Sequence, residues 1–321
     1  MATLTAGSLG VDFDLLDLGP LAGATQSAAT PTSVSLSISG VTAQIFGSGF
    51  TYGSSGPPST GTIQRIVVSV DAGLAYDIAG LNVSSAAFRG WVSAGDNAAA
   101  KAGLFVGDDQ FVGSPAADRL YAYAGNDTVG GGQGADTIVE QSGSNYLRGD
   151  EGDDQITGGS GFDDINGNMG NDTASGGLGD DWVVGGKDND RLFGEDGGDL
   201  VYGNLGDDYC DGGAGNDTIR GGQQNDSLSG GGGDDFVSGD RGDDTMTGGP
   251  GADMFHSSAD AGVDRVIDFN VNEGDRVLLD PGTTYSVAQV GGDTVITMSA
   301  GQVILAGVSM STLIASTIIV G

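Results

Sequence analysis

The sequence predicts an all-β protein whose middle is a parallel solenoid, flanked by a small β-rich domain and a β cap. Three observations lead there. Glycine supplies 62 of the 321 residues, a density that excludes helix, because each interior glycine costs about 1 kcal/mol there. A nine-residue pattern, G-G-x-G-x-D-x-U-x with U apolar, runs without insertion from Gly113 to His256. Hydrophobic residues make up 38% of the chain, too many for a disordered polymer.

The N-terminal element, residues 1–103, reads as strands. Residues 34–50 alternate through Val34, Leu36 and Ile38, and 63–71 and 74–83 follow, with the break "GSSGPPSTG" between the first and second of these segments. A short helix is expected after Ser84 or Ser85 as N-cap, carrying Phe88, Trp91 and Val92 on one face. The expected role of this domain is a cap, because solenoid ends expose strand edges. A head-to-tail contact through the same ends is the competing use.

The repeat block comes next. Its register gives sixteen units, and position 8 is apolar in all of them, from Leu120 and Val129 to Met246 and Phe255. Position 4 is glycine in thirteen units, with Ala116, Asp188 and Gln224 as exceptions. One apolar residue in nine predicts a three-residue strand, x-U-x, whose middle side chain points inward. The remaining six residues form a turn, rich in glycine because it needs positive φ. Two units then close one coil, and coils stacked at about 4.8 Å make a rod of roughly 40 Å. Two U side chains per coil bury too little to offset the ordering of so many residues, so the fold needs another source of stability.

Position 6 supplies it. This position holds Asp118, Asp127, Asp136, Asp154, Asp163, Asp172, Asp181, Asp190, Asp199, Asp208, Asp217, Asp226, Asp235, Asp244 and Asp253, with Asn145 as the exception; a degenerate unit ahead of the block adds Gly107, Asp109 and Phe111. Each aspartate stands at a turn exit, with the aspartate two units later above it. Two carboxylates plus carbonyls freed by the glycine turn are a hard, all-oxygen ligand set that suits Ca2+. The charge agrees. Asp and Glu number 44 against 11 Lys and Arg, for a net charge of -33, and within residues 113–256 the counts are 26 Asp, 3 Glu and 6 Lys and Arg. Up to about fourteen calcium ions, one per same-side pair of units, would roughly neutralise the block. The site at Asn145, where Glu140 replaces the expected glycine, should be weaker or empty. Nucleic acid is excluded as a partner, because phosphate binding needs the cations this chain lacks.

This nonapeptide resembles the calcium-binding repeat of RTX proteins over residues 104–256. The resemblance implies a right-handed parallel β-roll, a calcium solenoid that folds on meeting external calcium. It further implies secretion of the unfolded chain through type I secretion machinery, and an extracellular or cell-surface location. The third element, residues 257–321, opens with "VDRVIDFNVNEGDRVLLD", which resembles the cap of serralysin-type rolls, with Val266, Ile267, Phe269, Val277 and Leu279 as its apolar positions. The end, "MSTLIASTIIVG", is uncharged and apolar as type I signals often are. No Sec signal is read at the N-terminus, where the first basic residue is Arg65, and no membrane insertion is expected.

No enzyme is expected. The single histidine, His256, allows neither a zinc-protease motif nor a Ser-His-Asp hydrolase, and no G-x-S-x-G occurs. His256 reads as a surface residue, and Cys210, in the U column, as a buried hydrophobe. Because units alternate between two flanks, one flank collects Tyr146, Trp182, Val184, Leu200, Tyr202, Phe236 and Met254, while the other is largely polar apart from Phe193 and Tyr209. An apolar stripe of this kind marks a packing surface. The chain's own terminal domains are one occupant. The sharper expectation is another copy, giving a homopolymer as filament, surface layer or matrix. A calcium-dependent adhesin that holds surface polysaccharide is the alternative.

Overall fold

The computed structural model describes residues 3–6, 25–30, 32–38, 41–51, 58, 60–70, 73–88, 103–258, 262–314 and 316–321. The chain is all-β and divides into two compact units, Met1–Glu151 and Gly152–Gly321.

The first unit opens with an antiparallel sheet. Strands Thr25–Thr30, Ser33–Ile38, Val41–Thr51, Thr60–Val70 and Gly73–Ser84 pair in sequence order. The alternating stretch read as one segment over 34–50 is thus two strands of a meander. Ile45, Ile63, Ile66 and Ile78 form its buried face. The helical turn over 85–88 begins where it was expected, with the Ala87 N–H donating to Ser84 Oγ at 3.1 Å, and Phe88 is fully buried. Trp91 and Val92 lie outside the described residues. Strand Thr3–Ala6 pairs antiparallel with Gly73–Ser84 on one side and parallel with Gln110–Val112 on the other, so the N-terminal sheet runs into the first parallel coil. Gln110–Val112, Thr128–Gln133 and Asn145–Glu151 then form one parallel row, and Arg119–Ala124 with Thr137–Ser142 the other.

The second unit repeats this plan. Gln155–Ser160, Thr173–Leu178, Arg191–Asp196, Tyr209–Ala214, Ser227–Gly232 and Thr245–Thr247 are parallel neighbours in one sheet. Asp163–Met169, Trp182–Lys187, Leu200–Leu205, Thr218–Gln223, Phe236–Arg241 and Met254–Ser257 are parallel neighbours in the other. Between the sheets lie the U side chains, with Ile165, Leu192, Cys210, Ile219 and Val237 at 0% exposure.

Most strands are twice the expected length. They cover positions 7–9 and continue through positions 1–3 of the next unit, where glycines sit opposite glycines, as in Gly159 opposite Gly177. The turn proper is therefore only three residues. Positive φ falls at positions 2 and 4, as at Gly159 (φ 99) and Gly161 (φ 104). Residues that are not glycine do occupy these places, among them Asn204 (φ 89) and Asp188 (φ 74), whose short polar side chains tolerate the left-handed region, and the longer Gln224 (φ 80).

The solenoid does not stop at His256. Val263–Val266 pairs parallel with Thr245–Thr247, and Arg276–Leu279 pairs parallel with Met254–Ser257. Gln302–Leu305 and Ile318–Val320 each add one more parallel strand. The antiparallel strands Ser286–Val290 and Asp293–Thr297 attach to Gln302–Leu305.

Candidate metal centre

The position-6 aspartates form two columns in the second unit, Asp154 to Asp244 and Asp163 to Asp253, each member eighteen residues from the next. In the first unit Asp109 stacks with Asp127, Asp118 with Asp136, and Asp127 with Asn145. All are buried, with exposures of 3% or less. What stacks them is a hydrogen-bond ladder. Asp172 N–H donates to Asp190 Oδ1, Asp190 N–H to Asp208 Oδ1 and Asp208 N–H to Asp226 Oδ1, all at 2.8 Å. The opposite column matches it, Asp181 to Asp199 and Asp199 to Asp217 each at 2.7 Å. The aspartate carbonyl is also committed, accepting from the residue after the next aspartate, as in Leu200 N–H to Asp181 O at 2.8 Å.

Oδ2 is left over. In Asp127, Asp172, Asp181, Asp190, Asp199, Asp208, Asp217, Asp226, Asp235, Asp244 and Asp253 this atom is buried with no hydrogen-bond partner. Buried acceptors are rarely left this way. Position 1 explains where they point. A Cβ on Gly194, Gly203, Gly212 or Gly230 would run into Oδ2 of the aspartate five residues on and into the carbonyl oxygen of the glycine eighteen residues on. An orphaned carboxylate oxygen and a main-chain carbonyl therefore converge where a side chain is missing. Among the described residues no three His, Cys, Asp or Glu side chains gather at one point, so main-chain oxygens must complete any coordination sphere here. That donor set, all oxygen and partly backbone, fits calcium.

The electrostatics agree. Burial pushes the carboxyls of Asp190 and Asp226 up to about 8, and those of Asp172, Asp199, Asp244 and Asp253 up to about 7. Asp127, Asp208 and Asp235 rise to about 6 for the same reason. The ladder N–H opposes the rise at each of them, and at most a neighbouring aspartate adds to it. Ionising these columns needs a compensating cation. A cavity of about 520 Å³, lined by Asp190, Asp208, Asp226, Asp207 and Asp243 among others, opens beside one column.

Two further aspartates extend the columns. Asp253 N–H donates to Asp275 Oδ1 at 3.1 Å across 22 residues, and Asp264 takes the place beyond Asp244, whose carbonyl accepts from Arg265 N–H at 2.8 Å. Both were missed because insertions break the nine-residue phase. The signal was present, since Asp264 precedes Val266, and Asp275 precedes Val277, by the two residues that separate D from U in every repeat. Position 5 carries a second, exposed ladder that the consensus hides. Asn189 N–H donates to Asn171 Oδ1, Asp207 to Asn189, Asn225 to Asp207 and Asp243 to Asn225, at 2.9–3.2 Å. At Asn145 the Oδ1 accepts from Asp127 N–H at 2.8 Å, and Glu140 is 3% exposed.

Of the stripe residues, Trp182, Val184, Leu200, Tyr202, Phe236 and Met254 share one sheet of the second unit, Trp182 in register with Leu200, Val184 with Tyr202 and Phe236 with Met254. Tyr146 lies on the first unit's strand Asn145–Glu151. Trp182 and Tyr146 are about half exposed, at 51% and 47%; the other five are partly covered. Phe162, not foreseen, packs edge-on to Trp182 with ring centres 5.7 Å apart. Arginines sit on two of the rings, Arg148 over Tyr146 at 3.4 Å and Arg220 over Tyr202 at 5.6 Å.

His256 is more engaged than a surface residue. Its Nδ1 faces Ser238 Oγ at 3.0 Å and its Nε2 faces Asp280 Oδ1 at 3.2 Å, with Phe236 stacked on the ring. Ser238 is fully buried and its hydroxyl donates to Asp240 at 2.9 Å. The row joins strands Phe236–Arg241 and Met254–Ser257 to Asp280, the residue that follows strand Arg276–Leu279.

The RTX calcium-binding nonapeptide repeat matches residues 105–138, 141–174, 175–210, 211–246 and 229–264. Among solved structures, the chain is similar to the extracellular lipase LipA of Serratia marcescens, at 19% identity and a TM-score of 0.30, covering 67% of this chain and 40% of the lipase. It is also similar to a subunit of the mannuronan C5-epimerase of Azotobacter vinelandii, at 23% identity and a TM-score of 0.18, covering 44% of this chain and 78% of that one. The similarity thus spans less than half of the lipase. No curated protein sequence matches. The unbroken repeat, its paired parallel strands and the buried aspartate columns agree with the match to residues 105–264: this chain belongs to the RTX calcium-binding nonapeptide-repeat family, as a parallel β-roll.

Proposed function

We propose that this protein is a secreted, non-catalytic structural protein that folds on binding calcium outside the cell and assembles with further copies into a filament, surface layer or matrix. The observation that carries assembly is the stripe on one sheet of the second unit, where Trp182, Val184, Leu200, Tyr202, Phe236 and Met254 remain partly or half exposed. An apolar strip beside acidic turns, interrupted by Thr218 and Arg220 between Leu200 and Phe236, is a surface suited to protein contact. Secretion through type I machinery is the export route in keeping with the family, and calcium at extracellular concentrations, about 0.1–1 mM in affinity range, would supply folding free energy only after export. Among the described residues no helix is long and apolar enough to cross a membrane.

The test is size-exclusion chromatography with light scattering and electron microscopy during a calcium titration. Ordered polymers are expected to appear with calcium, and the double substitution Trp182→Ser, Tyr202→Ser to abolish them while leaving calcium-induced folding intact. Polymers unchanged by that substitution would remove the stripe from assembly.

A second reading rests on the arginines. A hollow of about 280 Å³ is lined by Tyr202, Arg220, Gln223, Asp240, Arg241 and Ser258, which combines an aromatic ring, cations and hydrogen-bonding groups. That combination suits a surface polysaccharide, as in a calcium-dependent adhesin. A compact monomer at all calcium concentrations, with Trp182 fluorescence responding to added glycans, would favour it.

A further inference from the structure

Strand Ser286–Val290 is the outermost member of its sheet, paired antiparallel with Asp293–Thr297 and with no other strand. Backbone groups along a strand alternate in direction, so about half of its N–H and C=O groups point away from that neighbour. Among the described residues none of these meets another main-chain group. Such edges are ordinarily blunted by a charged side chain, a proline or a bulge. This one reads SVAQV, without charge or proline, and its pairing with Asp293–Thr297 runs in unbroken register. It is apolar as well. Val290 is 59% exposed and Tyr285, just ahead of the strand, 41%. Met310, 43% exposed, sits beside Gln289, its N–H donating to Gln289 Oε1 at 2.6 Å.

Charge decides what can cover this edge. Residues 281–321 contain one charged side chain, Asp293, while the rest of the chain holds all 11 Lys and Arg and 43 of the 44 Asp and Glu. That carboxylate is engaged, accepting from Gly307 N–H at 2.8 Å and paired with Arg265 at 3.4 Å. Two copies of a chain with a net charge of -33 repel wherever their repeats approach, and at this edge they do not. A basic partner would be drawn instead to the aspartate-rich turns. We infer that Ser286–Val290 pairs antiparallel with the same strand of a second copy, so that one sheet runs through both molecules. A two-fold contact needs no second recognition surface, because the edge is its own complement, and main-chain hydrogen bonds supply affinity as in other strand additions. Overlap of all five residues centres the pair on Ala288. The contact closes at two copies. It is separate from the stripe around Trp182 and Tyr202, and stands or falls independently of it.

Sedimentation equilibrium of the full chain at saturating calcium tests it, in the Trp182→Ser, Tyr202→Ser background so that the stripe does not contribute. The mass is expected to be twice that of one copy. Adding Ala288→Lys and Val290→Lys sets like charges against each other across the pair; the mass is expected to fall to that of one copy, with calcium-induced circular dichroism unchanged. A single-copy mass before the lysines are added, a doubled mass that survives them, or species larger than two each overturn the inference. Should the lysine variant fail to regain its β-sheet signal with calcium, cross-linking decides. The native thiol, Cys210, is buried, so in the same background Ala288→Cys is expected to give covalent dimers with a short bismaleimide, and Asp196→Cys, at an exposed position of strand Arg191–Asp196, to give none. No dimers from Ala288→Cys, or equal yields from both, overturn the inference.

Discussion

At position 6 a single carboxylate does two jobs with its two oxygens. Oδ1 is consumed by the N–H of the aspartate one coil back, which fixes the side chain, and Oδ2 is left for a cation. Protons and calcium therefore compete for the same atom. The carboxyls of Asp190 and Asp226 rise to about 8 in the fold, against about 3.9 in an unfolded chain. A folded value above the unfolded one means that protonation favours the fold. In calcium-free protein this stabilisation is complete below the unfolded value and is lost as pH rises through about 6 to 8. Calcium takes over where protons leave. The calcium midpoint for folding, followed by far-UV circular dichroism, is expected to rise as pH falls from 8 to 6, with proton release on binding. A midpoint constant across that range would place the folding-linked ions elsewhere than on these oxygens.

At the scale of the strand, the sequence makes the period plain and hides the element. The nine-residue phase and the all-apolar U column gave the coil, its two flanks and the core residues Ile165, Leu192 and Val237, because one apolar residue per unit has no other place to go. Strand length was not legible, since positions 1 and 2 are rich in glycine, a residue depleted in strands, and pair only because the next coil offers the same backbone. Asp264 and Asp275 were hidden by their insertions. His256 was hidden because its partners, Ser238 and Asp280, are 18 and 24 residues away, and only the parallel register brings them into line. That row makes its own prediction. His256→Ala removes two side-chain hydrogen bonds and the Phe236 stack and is expected to cost about 1 kcal/mol. The loss should be local. Hydrogen exchange is expected to quicken in Met254–Ser257 and Arg276–Leu279 and to stay unchanged in Trp182–Lys187. Uniform loosening of all three strands would mean that the row does not act as a clamp.

At the scale of the whole chain, the question is whether calcium acts by screening a net charge of -33 or by coordination. The two act at different places. Exposed acids such as Asp207 and Asp234 repel through solvent, and monovalent salt removes that repulsion, because the Debye length falls to about 3 Å at 1 M. The position-6 Oδ2 atoms lie inside, walled by glycine backbone and by the next coil, where a screening atmosphere does not reach. An unfolded chain keeps those oxygens hydrated at no cost, so folding them away without a ligand is opposed whatever the ionic strength. Sodium chloride at 1 M with a chelator is therefore expected to compact the chain without giving the β-sheet signal, whereas a few millimolar calcium gives both. Small-angle scattering and circular dichroism on the same samples separate the two quantities. Sheet formation in salt alone would mean that repulsion, and not the buried carboxylate columns, is what holds the calcium-free chain open.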